Sequence, residues 1–171
     1  MTRNKALLPI DGVPFIQRIV RTLEKRFSTV YVSANREDEY RFLGRPIVPD
    51  RIGNGGPLAG IHSLLHVVPA EYLFTVPCDV PYLSIHVIDA LVRNLERDTV
   101  VVAHDGDRMH PLIGVYPRSL SGQLETYLET GGRKVSRFLE TVRYRPVDVS
   151  RYRAEVRNIN TPTEYKGRVT R

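Results

Sequence analysis

The chain has 171 residues, with 25 Lys and Arg against 19 Asp and Glu, a net charge of +6, 42% hydrophobic and 26% charged residues. That is enough chain for one globular domain with its own core, and no apolar run approaches the ~20 residues of a membrane span. Pro9 and Asp11 interrupt the N-terminal stretch too early for a secretory leader, and the single cysteine, Cys78, excludes an internal disulfide and fits a reducing cytosol, so a cytoplasmic protein is expected.

In chain order, Pro14 can serve as a first helical residue, followed by Ile16, Ile19, Val20 and Leu23 at helical spacing. Residues 29–34 (TVYVSA) and 45–48 are strand-like, 57–68 are helical, and 72–76 form another strand. A helix over 84–95, strands over 99–103 and 112–116, and helices over 120–128 and 134–141 follow. Such alternation predicts an α/β fold of three layers, a mostly parallel sheet with helices on both faces. The arginines at 143, 145, 151, 153 and 157 alternate with other residues. They read as the solvated face of a strand and loop, or as a basic rim for a phosphorylated small molecule. The charge favours anionic partners, but there is no basic run, zinc-finger spacing or ribonucleoprotein aromatic motif, so nucleic acid is not expected.

Ligands of an open α/β sheet bind beyond the carboxyl ends of its strands. There the sequence places Asn35-Arg36, Pro49-Asp50, Cys78-Asp79 and His104-Asp105. Each could be a turn or a helix cap; four together favour convergence on one pocket. Asp79, in CDVP, could cap a helix or hold Mg²⁺, a hard cation suited to carboxylate and phosphate oxygens. The run GNGGPLAG over 53–60 opens a helix, either as a flexible turn or as a loop whose backbone N–H groups approach a nucleotide; it is neither a Walker A loop nor a GxGxxG fingerprint. His62 and His66 have the i,i+4 spacing of a zinc pair, but Ser63 stands where a metalloprotease carries Glu, so the pair is expected to be structural. No nucleophile elbow is present, and one cysteine gives little support for thiol catalysis.

These pieces together resemble the MobA family of molybdenum cofactor guanylyltransferases. The resemblance runs through Lys5-Ala6-Leu7-Leu8 with Gly12 and Pro14, then Ser33-Ala34-Asn35-Arg36, Val48-Pro49-Asp50 and Gly56-Pro57-Leu58-Ala59-Gly60. It continues through Cys78-Asp79-Val80-Pro81, the HDGDRMHP run over 104–111, Gly132-Arg133-Lys134-Val135, and Asn158-Ile159-Asn160-Thr161-Pro162. It implies a nucleotide-diphospho-sugar transferase-like, Rossmann-type fold and a Mg²⁺-dependent transfer of GMP from GTP to molybdopterin-bound molybdenum, with release of pyrophosphate. By the same resemblance Lys5 contacts the nucleotide phosphates, and Asn35 and Asp50, with Gly56, Pro57, Leu58 and Gly60, hold guanine and ribose. Asp79 ligates Mg²⁺, and His110, Lys134, Asn158 and Asn160 lie toward the pterin cofactor. Other cofactor-biosynthesis or molybdoenzyme-maturation proteins are the further partners it suggests.

The family signature opens with a first strand and a glycine-rich loop, and Met1–Lys5 aligns only with its end, Thr2 standing for Gly and Asn4 for Asp. The expectation is one nucleotidyltransferase domain over 1–171 with a shortened start; a degenerate, non-catalytic nucleotide or cofactor carrier is the alternative. Cytidylyl transfer to the same cofactor and nucleotidyl transfer to a sugar phosphate remain open as related chemistries.

Overall fold

A computed structural model describes residues 4–159. Its centre is a four-stranded sheet of β5 (Tyr72–Thr75), β7 (Met109–Pro117), β6 (Val100–His104) and β8 (Tyr144–Asp148), paired in the order β5-β7-β6-β8. Strand β6 shows why helices cover both faces: side chains alternate along a strand, and all four residues from Val100 to Ala103 are fully buried. Val101 and Ala103 pack with Val87, Ile88 and Leu91 of α3 (Ile85–Val92). Val100 and Val102 pack on the opposite side with Leu58, Ile61 and Leu65 of α2 (Pro57–Val67). Leu124 and Leu128 of α4 (Ser121–Glu129) and Phe138 of α5 (Val135–Leu139) complete that layer. Each such buried aliphatic side chain is worth about 1.5–3 kcal/mol.

The three-layer α/β arrangement expected from the sequence holds. Within it β7 runs antiparallel to both β5 and β6, while β6 and β8 are parallel. The antiparallel join follows from a short hairpin, Asp105 to Arg108, that turns β6 directly into β7 where a helical crossover would have kept the strands parallel.

A second, two-stranded parallel sheet is formed by β3 (Val32–Ser33) and β4 (Ile47–Val48). It is covered by α1 (Phe15–Leu23), whose Ile16 and Val20 pack on Val30 and Val32. Ahead of α1, β1 (Pro9–Ile10) and β2 (Val13–Pro14) form a minimal hairpin around Asp11 and Gly12. Both turn residues have positive φ, 51° and 76°, as a two-residue primed turn demands. Pro14 caps α1 from outside, one residue earlier than its predicted place as first helical residue.

Among the described residues no strand pairing joins the two sheets. Between them lies an apolar slot of about 360 Å³, walled by residues 30–33 on one side and 74–78 on the other, with Ile16 and Val20 of α1 and Ile61 and Leu64 of α2 above and below. The facing edges of β3 and β5 have no strand partner there. No described helix is long and apolar enough to cross a membrane.

Candidate functional site

Parallel pairing of β3 and β4 brings their carboxyl ends side by side, and that places Asn35 next to Asp50. The Asn35 amide donates to Asp50 Oδ2 at 2.9 Å, and the Asp50 backbone N–H donates to Asn35 Oδ1 at 2.8 Å. Helix α2 is held close to this end. The Arg51 N–H donates to Ser63 Oγ at 2.8 Å, and that hydroxyl donates to the Ala59 carbonyl at 2.9 Å. Gly60 is what permits the approach: a Cβ there would collide with Ser33 Oγ and lie 3.6 Å from Asp50 Oδ1. The helix starts from Gly56, at φ 60° and ψ −152°, with Pro57 in its first turn. A non-glycine residue would be strained at Gly56, whereas Pro57 loses nothing, because first-turn N–H groups lack helical partners. Leu58 is fully buried, its side chain packed in the core between α2 and the four-stranded sheet.

Asp79 follows β5 and its extension through Val76. Its Oδ1 is buried and has no protein hydrogen-bond partner. Burial pushes the carboxyl above its ordinary value, while a backbone hydrogen bond and the charge of Lys5 pull the other way. The exposed Lys5 lies on a single turn of 3₁₀ helix, Lys5–Leu7, capped by the Asn4 side chain, which accepts from the Ala6 N–H at 3.1 Å. The Asn4 amide also donates to Glu39 Oε2 at 2.6 Å and Tyr40 Oη at 2.9 Å, which anchors this turn on the β3–β4 side. From the far end of the chain, the Ile159 N–H donates to the Asp79 carbonyl at 2.8 Å, so Asn158 arrives beside the same loop. Asn160 lies outside the described residues.

At the fourth strand end the polar groups bond within their own turn. Asp105 is buried, and its carboxylate accepts from the N–H groups of Asp107 (3.0 Å) and Arg108 (2.9 Å) and from His110 Nε2 at 2.8 Å. Burial alone would raise its pKa, but the His110 bond, the two backbone N–H groups and the His110 charge outweigh it and hold the carboxyl well below the usual carboxylate range. Arg153 clamps the turn from outside, donating to the Asp105 carbonyl at 3.0–3.1 Å and pairing with Asp107 at 2.6 Å. Asp105 is thus consumed by its own hairpin, and its partner His110 is tied into the same turn. Lys134 is exposed just ahead of α5, its carbonyl accepting from Tyr127 Oη at 3.0 Å. Of the predicted residues, then, Asn35, Asp50 and Gly60 meet directly, and Lys5, Asp79 and Asn158 form a second group.

The His62–His66 pair has a third neighbour that sequence spacing could not reveal, Glu125 on α4, with one ligand atom from each within 4.8 Å of the others. Burial first, and then the charge of His66, keep the His62 pKa below its ordinary value against the opposing pull of Glu125.

Comparison with known proteins places the chain. Residues 1–147 match the family model described as the MobA-like NTP transferase domain. The chain is 32% identical over 163 residues to the molybdenum cofactor guanylyltransferase of Yersinia pestis (strain Pestoides F), covering 94% of this chain and 84% of that protein. The fold is similar to molybdopterin-guanine dinucleotide biosynthesis protein A from Archaeoglobus fulgidus, with a TM-score of 0.81 at 22% identity over 99% of this chain and 90% of that one. It is also similar to 2-C-methyl-D-erythritol 4-phosphate cytidylyltransferase from Thermus thermophilus, with a TM-score of 0.73 at 13% identity over 97% and 92% of the two chains.

Proposed function

The chain belongs to the family of MobA-like NTP transferases, and from that premise we propose that it transfers GMP from GTP to the molybdenum–molybdopterin cofactor. It is a nucleotidyltransferase, and the acceptor and the guanylyl group transferred are those of its curated relative's name. In the proposed reaction an oxygen of the acceptor phosphate attacks the α-phosphorus of GTP, a new P–O–P bond forms, and the bond to the β-phosphate breaks with pyrophosphate leaving on its electron pair.

The observation that carries this reading is the Asp79 carboxylate. A buried carboxylate oxygen with no protein partner costs free energy unless something binds it, and the hard oxygen donor at a strand's carboxyl end fits Mg²⁺. When bound, Mg²⁺ would neutralise triphosphate charge. The rest falls to this chain's own groups. Lys5 supplies a second positive charge near Asp79; Asn35 and Asp50 present a fixed polar edge for the base and ribose; the exposed helix start at Gly56 and Pro57 allows close approach. Two phosphates must be brought together against their repulsion, so positioning and charge neutralisation are what the reaction needs, and no side-chain nucleophile is required.

The test is pyrophosphate release from GTP and molybdopterin with Mg²⁺ present or chelated. Asp79→Asn should keep the fold and lose at least about 10²–10³ in rate, the scale for removing one charge-stabilising group. Unchanged turnover in that variant would overturn the assignment, and nucleotide binding without pyrophosphate release in the parent would identify a carrier.

A further inference from the structure

The His62, His66 and Glu125 side chains form a cluster outside the groups assigned to the nucleotidyl transfer. His62 is fully buried on α2, and neither of its ring nitrogens has a hydrogen-bond partner. Its Nε2 is 3.8 Å from Glu125 Oε1, too long for a hydrogen bond but near the ~3.3 Å that separates two ligands on one tetrahedral zinc ion with bonds of about 2.0–2.1 Å. The i,i+4 spacing puts His66 on the same helix face, its ring centroid 4.4 Å from that of His62. His66 Nδ1 lies 3.1 Å from the His62 carbonyl. A carbonyl only accepts, so this bond fixes the proton on Nδ1 and leaves the Nε2 lone pair bare, the arrangement that orients a metal-ligating imidazole.

We propose that His62 and His66 of α2 and Glu125 of α4 bind a divalent transition ion of the zinc type, clamping the two helices together and leaving one coordination position for water. Two imidazoles and one carboxylate are a donor set suited to Zn²⁺ and poorly suited to Mg²⁺. The ligand atoms already lie within 4.8 Å of one another, so rotamer adjustments of the partly exposed His66 and Glu125 are all that closing on an ion requires. Glu129 adds a further negative charge toward His62, and Arg51 opposes it.

The experiment uses tag-free protein stripped of metal and dialysed against Zn²⁺ in the presence of millimolar Mg²⁺, with metal content and melting temperature measured. One zinc per chain, a raised melting temperature, and visible d–d absorption when Co²⁺ replaces Zn²⁺ are expected. His66→Ala and Glu125→Gln should each weaken zinc binding by at least the ~10–100-fold that loss of even an outer-shell partner costs, with unchanged melting of the metal-free protein. Zinc retained at full affinity in either variant would overturn the assignment and direct attention to Cys78 or Asp79. Should a variant fail to fold, the unsubstituted protein still decides, because lack of one-to-one binding or of the Co²⁺ spectrum overturns the proposal.

Discussion

The backbone N–H of Ile159 donates to the carbonyl of Asp79 at 2.8 Å, joining the last described segment of the chain to the loop after β5. This one bond brings Asn158 to the loop that carries the carboxylate proposed to hold the metal. A residue so placed can meet the acceptor without touching the β3–β4 side.

Asn158→Ala should therefore weaken molybdopterin binding while leaving GTP affinity within about twofold. Calorimetric titration of each ligand separately checks this. A selective loss of GTP affinity would mean that the two sides of the cleft are exchanged.

Asn35 and Asp50 hold one another through two hydrogen bonds, which fix the Asn35 side chain in place. Asn35→Ala deletes both bonds and should lower GTP affinity about 10-fold, equivalent to ~1.4 kcal/mol. The parent should prefer GTP to CTP and ATP in titration. Equal affinity for all three would favour a related transfer with another nucleotide.

Asp105 offers a pH signature. Its folded pKa is depressed, so its contribution to stability is present above the ordinary carboxylate value of about 3.9 and is lost as pH falls below it toward the depressed folded value. Asp105→Asn should cost about 1–3 kcal/mol near neutrality, and the gap between variant and parent should shrink as pH falls below about 4. Denaturant unfolding across pH reads both; a gap that stays constant in acid would remove the ionic account of this turn.

The slot is walled by residues 30–33 of one sheet and 74–78 of the other, and among the described residues no strand pairs with β3 or β5 on that side. A chain carrying one further strand and glycine-rich loop ahead of Met1 should melt higher and bind GTP more tightly than the 171-residue form. Each buried backbone group newly paired is worth about 1–3 kcal/mol, and each kcal/mol raises the melting temperature by about 2–4 °C at this size. Equal melting and equal GTP affinity in the two forms would show that the slot has no bearing on phosphate binding.

What the sequence made readable was governed by local rules. The predicted helix over 57–68 is found at Pro57–Val67 because Gly56 and Pro57 mark its start unambiguously, and the helix over 84–95 begins where Ser84 accepts from the Val87 N–H. The strand over 99–103 is found at Val100–His104, its run of valines being buried on both faces. Harder to read were features set by tertiary pairing. The predicted strand over 112–116 extends to Met109–Pro117, because β7 is paired along both edges and pairing rather than composition fixes its ends. The hairpin of β1 and β2 is too short to show a period, although Asp11-Gly12 was an available turn signal. Asn35 and Asp50 were identified as strand-end polar residues, but only parallel register makes them touch. The same rule overreached at Asp105, where its own turn supplied partners. His62 and His66 read as structural because Ser63 stands where a metalloprotease carries Glu; Glu125, which lies near both, is on a different helix, where no spacing rule reaches it.

The separation of the β3–β4 pair from the four-stranded sheet bears on how the molecule breathes. Cooperative opening follows backbone ladders and shared core, and among the described residues these two strands ladder only with each other and pack under the helices over them. Their amides belong to a smaller unfolding unit than those of β6, which is laddered on both edges and fully buried from Val100 to Ala103. Solvent isotope would thus reach Val32 and Val48 through partial openings long before it reaches Val101 and Val102. A nucleotide seated across Asn35 and Lys5 would slow exchange chiefly in the looser unit, turning the less protected of the two sheets into the reporter of occupancy.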